Sequence, residues 1–237
     1  MSANAAQNFN EEVPDHVGEP SQPRKSRWVT NDGAEFLNSL CPNSQAFPAF
    51  DWCTSTERLL LEEACADAFN VIGMSWDRSI FTRIDPKNLT VTEHRILAVI
   101  ELKTLRFNKL VDKIPRKTFV RGDERADKYG FEIVPKSGLS DGKLTDSIRS
   151  LKKKRSIGCV KADQYNGRDA SNIYCVLPIR ELLARFYRYA VDALSISFEK
   201  YNLSATRCTE LEKHLKAELL TRCGDILRED DGHANGA

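Results

Sequence analysis

Asp141, Lys143, Asp146 and Arg149 recur at spacings that turn four charged side chains away from Leu144, Ile148 and Leu151, an apolar stripe at helical period. A helix with that face offers hydrogen-bond donors and acceptors together. Lys143 can donate to guanine O6 and N7, Asp141 or Asp146 can accept from cytosine N4, and Arg149 can reach a base edge or a phosphate. Ser140 and Thr145 add hydroxyls to the same stretch. Lys152, Lys153, Lys154 and Arg155 close it; they either displace counterions from phosphates or simply complement the negative end of the helix dipole. Lys161 and Arg168 lie in or beside a hairpin with Asn166-Gly167 at its tip, where they could touch a nucleic-acid backbone. The two acids repel phosphate. Either they read particular bases or this helix faces away from DNA, and the sequence leaves both readings open.

Basic charge is concentrated rather than abundant. The chain has 35 Lys and Arg against 34 Asp and Glu, a formal net charge of +1. Residues 103–121 nevertheless carry Lys103, Arg106, Lys109, Lys113, Arg116, Lys117 and Arg121 against the single acid Asp112. The first 22 residues carry Glu11, Glu12, Asp15 and Glu19 and no Lys or Arg. A locally basic middle can present a phosphate-binding face in a chain that is neutral as a whole. Lys109, Lys113, Arg116 and Lys117 therefore join the candidate DNA contacts.

No catalytic pattern competes. Phosphate-cradling G-x-x-x-x-G-K-[ST], dinucleotide-binding G-x-G-x-x-G and metalloprotease H-E-x-x-H are all missing from the sequence. Asp123, Glu124, Asp127 and Lys128 form a cluster of the kind found in metal-dependent nucleases, but read better as a charged, solvated loop. The seven cysteines, at 41, 53, 65, 159, 175, 208 and 223, form no C-x-x-C pair and have no metal-ligand spacing with His16, His94, His214 or His233. Their odd number, and the lack of a signal peptide or long apolar run, predict reduced thiols in a cytosol and no membrane span. Cys159 and Cys175 either face each other across the hairpin or serve as two small apolar strand residues. The expectation is a non-enzyme with no cofactor and no metal.

The elements that would position these groups follow from caps and periodicity. A short helix is expected near 33–40, broken up afterwards by Pro42 and Pro48. Thr54 and Glu57 have capping-box spacing ahead of about four helical turns carrying Leu59, Leu60, Leu61, Ala64, Ala68, Phe69 and Ile72. Ser79–Ile84 reads as a strand stopped by Asp85-Pro86. Thr90 and Glu93 open a second capped helix that buries Ile96, Leu97, Val99, Ile100, Leu102 and Leu105. Residues 108–115 read as a basic connection, with Pro115 in the first turn of a short helix to about Val120. Residues 121–134 read as an inserted loop or small hairpin. Gly138 permits a tight turn and Ser140 caps the charged helix. Gly142, which costs that helix about 1 kcal/mol relative to Ala, either admits a close backbone or is merely tolerated. Ile157–Lys161 and Ile173–Leu177 are the strands flanking Asn166-Gly167. Helices at 179–200 and 205–228 follow, the second with Cys208, Leu211, Leu215, Leu219 and Cys223 on a narrow stripe.

A tight turn, a capped helix and a basic hairpin, in that order, compose the reading half of a winged helix-turn-helix. The expected fold is mainly α with a small β-hairpin wing. A disordered tail at 1–26 and a helical segment at 27–75 precede the winged helix-turn-helix at 76–178. A helical hairpin at 179–228 and a disordered tail at 229–237 follow it. The C-terminal hairpin either joins two copies into a homo-oligomer or packs on residues 28–72.

Ser79–Ile84 and Leu89–Leu97 resemble the entry and first helix of lambda-type phage replication O proteins and related plasmid initiators. Thr104–Pro115 resembles their segment leading to helix two, and Gly138-Leu139-Ser140 with Leu144, Ile148 and Leu151 resembles their recognition helix. The resemblance covers about residues 76–178. Asp141-Gly142 departs from it, standing where that family has basic or polar residues, and residues 121–134 lengthen the link between helices two and three. The resemblance implies a replication initiator that binds origin repeats, acts in the cytoplasm on plasmid or nucleoid DNA, and meets replication proteins such as a helicase. A transcription regulator on the same fold, and a winged helix used only to dock protein, are the alternatives.

Overall fold

A computed structural model describes residues 32–42, 44, 47–48, 50–79, 88–126, 132–134, 138–160, 171–224 and 226–227. The two expected disordered tails, the residues 80–84 of the expected strand, and the Asn166-Gly167 turn lie outside them. In chain order the elements are α1 (Asp32–Ser39), α2 (Ser55–Ser79), α3 (Val91–Lys103), a 3-10 turn (Leu105–Phe107), β1 (Asp112–Ile114), α4 (Arg116–Arg121), β2 (Asp123–Ala126), β3 (Glu132–Val134), α5 (Asp141–Lys153), β4 (Gly158–Val160), β5 (Asn172–Cys175), α6 (Ile179–Tyr201) and α7 (Ala205–Arg222). The chain is mainly helical, with a three-stranded antiparallel sheet in the order β1-β5-β4 and a separate β2–β3 hairpin.

Both capping boxes form. Thr54 N donates to Glu57 Oε2 at 2.8 Å while Glu57 N donates to Thr54 Oγ1 at 3.3 Å. Thr90 and Glu93 repeat the exchange at 2.6 and 3.2 Å. Helix α2 then runs for 25 residues, well past the expected four turns, and takes in Ser79, the first residue of the expected strand. Gly73 weakens a helix without ending it, and no proline intervenes before Pro86. The buried stripe of α2 is Leu60, Leu61, Ala64, Cys65, Ala68, Phe69 and Ile72. Leu59 lies off that stripe and is exposed, contrary to expectation. In α3 the expected Ile96, Leu97, Val99 and Ile100 are buried, whereas Leu102 and Leu105 are only half-buried.

Residues 108–115 are more than a connection, because Asp112–Ile114 forms edge strand β1 against β5, pairing Asp112 with Tyr174, Lys113 with Ile173 and Ile114 with Asn172. On the other side of β5, Gly158 pairs with Cys175 and Cys159 with Tyr174, so the two cysteines are not cross-strand partners. Both are buried thiols. A Cβ at Gly158 would lie 2.4 Å from Cys175 Sγ and 2.7 Å from Leu177 O, so only glycine fits this crossing. Residues 121–134 take the hairpin alternative, as β2–β3.

Helix α2 lies along α6, α6 packs on α7, and α1 also touches α7. The N-terminal and C-terminal helices thus share one apolar core that continues through the central elements. Leu211, Leu215 and Leu219 of α7 are buried in it. Helix α7 ends at Arg222, and after the turn at Cys223 helical residues resume at 224 and 226–227, close to the expected end at 228. Among the described residues, no helix is long and apolar enough to cross a membrane.

Candidate nucleic-acid interface

Helix α5 is held from below and presented outward. Leu144, Ile148 and Leu151 are buried, and Leu139 just before the cap is buried beside them. Ser140 Oγ accepts from Lys143 N at 3.4 Å, so the hydroxyl is engaged in capping. At the other end, Lys154 Nζ donates to both carboxylate oxygens of Glu93 at 2.9 Å and to Asn88 O at 2.5 Å. Glu93 is 2% exposed. Its burial alone would raise the carboxyl pKa, but hydrogen bonds from Ser150, Lys154 and Thr90 outweigh that and bring it down to about 2. The same glutamate that caps α3 therefore anchors the C-terminal end of α5 through Lys154.

The acids of this face are not free. Arg116 Nη2, from α4, donates to Asp141 O at 3.0 Å, Asp141 Oδ1 at 3.3 Å and Thr145 Oγ1 at 3.1 Å. Thr145 Oγ1 in turn donates to Asp141 O at 3.0 Å. Arg116 thus joins α4 to the first turn of α5. Asp146 accepts from Arg149 at 3.3 Å, with both side chains exposed. Asp112 accepts from Lys109 at 3.0 Å. Lys152 donates to Cys159 O at 3.1 Å and is half-buried against β4.

What remains is uniformly positive. Lys113, Lys117, Lys143, Lys153 and Arg155 are exposed and make no side-chain hydrogen bond or ion pair among the described residues. Arg121, at the end of α4, belongs with them; its place in the basic run at 103–121 is the sequence signal that points to it. Lys161, Asn166 and Arg168 lie outside the described residues. Gly142 faces open space, since a Cβ there would meet nothing within 4 Å. Asp123 of the acidic cluster is paired with Lys103 at 2.6 Å, with both side chains close to full burial; Asp127 and Lys128 lie outside the described residues, as does the Glu124 side chain. Burial pushes the Cys41 thiol up to about 12 and raises Cys65 as well, which makes both poor nucleophiles.

The arrangement defines a mainly helical chain that projects one charged helix beside a small antiparallel sheet. Comparison with protein-family models, with curated proteins and with solved structures finds no match for it.

Proposed function

We propose that the chain binds double-stranded DNA through a winged helix-turn-helix, with α5 as the helix that enters the major groove and the β4–β5 hairpin as the wing. The observation that carries this reading is the charge on α4, α5 and the adjoining β1. Asp112, Asp141 and Asp146 are each held by a basic neighbour, and Lys113, Lys117, Arg121, Lys143, Lys153 and Arg155 are left over. Six cations around one exposed helix, uncompensated among the described residues, favour a polyanion. The element order supports the fold: α4 precedes α5 as the first helix of the pair, and the hairpin after α5 is completed by edge strand β1.

Within that class, the resemblance of residues 89–97, 104–115 and 138–151 to phage and plasmid initiators favours a replication initiator of a mobile element. On this reading the protein works in the cytoplasm. Copies assemble side by side on origin repeats, and the complex receives replication proteins such as a helicase. Fluorescence anisotropy of the full chain on a duplex tests the first step: affinity should fall steeply with salt. Footprinting on the chain's own coding sequence tests the second, where iterated protected sites support an initiator and a single promoter-proximal site supports a transcription regulator. The neutralised pairs Arg116–Asp141 and Asp146–Arg149 suit a protein partner as well as a base edge. Failure to bind any duplex at low salt would leave a docking module as the reading.

A further inference from the structure

Helix α5 departs from its own best sequence at both ends. At the C-terminal end, the residue that turns the chain out of the helix is Arg155, with φ +55°, in the left-handed region. Its N–H donates to Lys152 O and the Ser156 N–H donates to Leu151 O, each at 2.9 Å. This is the double-bonded helix ending for which glycine is favoured, because a Cβ is penalised there. The other positive-φ non-glycine positions among the described residues are Asn108 and Asn202, a residue type that tolerates this conformation.

Among the described residues, the arginine side chain gains nothing to offset that penalty. It is exposed and has no hydrogen bond or ion pair among the described residues. Helix-dipole stabilisation does not call for it, because Lys152, Lys153 and Lys154 already crowd the same end. At the opposite end, Gly142 is the converse case: a glycine where helix propensity favours a side chain and where a Cβ would have open space. Both departures lie on the solvent side of one helix.

We propose that Arg155 is a phosphate anchor, kept in a glycine position because its guanidinium grips a duplex backbone at the end of α5. The assignment rests on the DNA-binding reading above and gives one of its six cations a defined contact, set by the backbone conformation it occupies. A left-handed backbone outlier whose side chain has no partner among the described residues is the kind of strain that function retains.

The test uses the full chain, a mixed-sequence duplex of about 30 base pairs, thermal melting and anisotropy titrations at several salt concentrations. R155G should melt about 2–4 °C higher than the wild type. It should bind the duplex roughly tenfold more weakly, with a salt slope shallower by about one unit. R155A should lose the same affinity without the gain in melting temperature, and R155K should keep most of the affinity. R155G that binds as tightly as the wild type, or that melts lower, overturns the assignment. A wild type that binds no duplex at low salt removes the DNA reading and this inference with it, a result distinct from a wild type that binds and a variant that binds equally.

Discussion

Lys143 and Lys153 differ in their place on α5, and the difference sets what each substitution should do. Lys143 stands in the first turn of α5, exposed and with no side-chain partner among the described residues, where a base edge would be read. Lys143→Ala should cost about 1–3 kcal/mol of discrimination between sites. Lys153, at the last turn, should weaken all duplexes alike when changed to Ala and flatten the salt slope by about one unit. Parallel losses on every sequence from both variants would mean that the helix holds phosphate without reading bases. Among the described residues, Asp146 is bonded only to its exposed neighbour Arg149. Asp146→Asn should therefore release a cation and tighten binding on every duplex, measured by anisotropy at fixed salt. Lost discrimination instead would assign Asp146 to base readout. The charged residues themselves are visible in the sequence. Their pairings are not: Arg116 meets Asp141 across 25 residues and Lys154 meets Glu93 across 61, and no local pattern encodes such distances.

Helix α5 is readable as an element because cap, stripe and basic end all lie within its own residues. Strand β1 is not, since Asp112-Lys113-Ile114 has no alternation and becomes a strand only by pairing with β5. The length of α2 escapes a reading by stripe, which stops where the buried residues stop, while the helix continues until something ends it. The two capping boxes carry consequences that their spacing alone does not disclose. Glu57 receives Arg207 of α7 through Nε at 2.6 Å and Nη2 at 3.0 Å. That pair, with Thr54, brings its pKa down to about 2. Each glutamate titrates lower in the fold than its ordinary 4.5, so each adds stability above about pH 4.5 that drains away as the pH falls towards 2. Glu93→Gln and Glu57→Gln should each cost on the order of 1–3 kcal/mol at neutral pH. In urea melts the deficit should shrink as the pH drops through that window. A deficit independent of pH would mean that the carboxylate charge is not what holds these helix ends. At the other end of α5, Gly142→Ala should raise stability by up to about 1 kcal/mol, read by thermal melting. Weaker duplex binding by the same variant would identify Gly142 as the place where a backbone comes close.

At the scale of the whole molecule, the stripe that could have joined two copies is turned inward. Leu211, Leu215 and Leu219 pack into the common core, and α7 lies against α1 and α6. The sequence pattern alone could not decide between a partner helix in the same chain and one in a second copy, because burial of a leucine stripe looks the same in both cases. With that face occupied, the full chain should have the mass of a monomer by light scattering at tens of micromolar, about where a weak dimer would be populated. Larger complexes should appear only when a duplex with iterated sites is added. A stable dimer without DNA would place the subunit contact elsewhere on the helices and would make copies arrive on DNA already paired.

The contact between Glu57 and Arg207 also has a meaning in time. It spans 150 residues of chain, and α2 buries its apolar face mainly along α6. At a synthesis rate of about 5–20 residues per second, α2 waits roughly 8–30 s after leaving the ribosome before Arg207 follows it. For most of that interval, until Ile179–Tyr201 has emerged, Leu60, Leu61, Phe69 and Ile72 have no α6 to cover them. The central elements between α3 and β5 are complete before then, so the projecting helix can be in place while the helices that flank it are still unpaired.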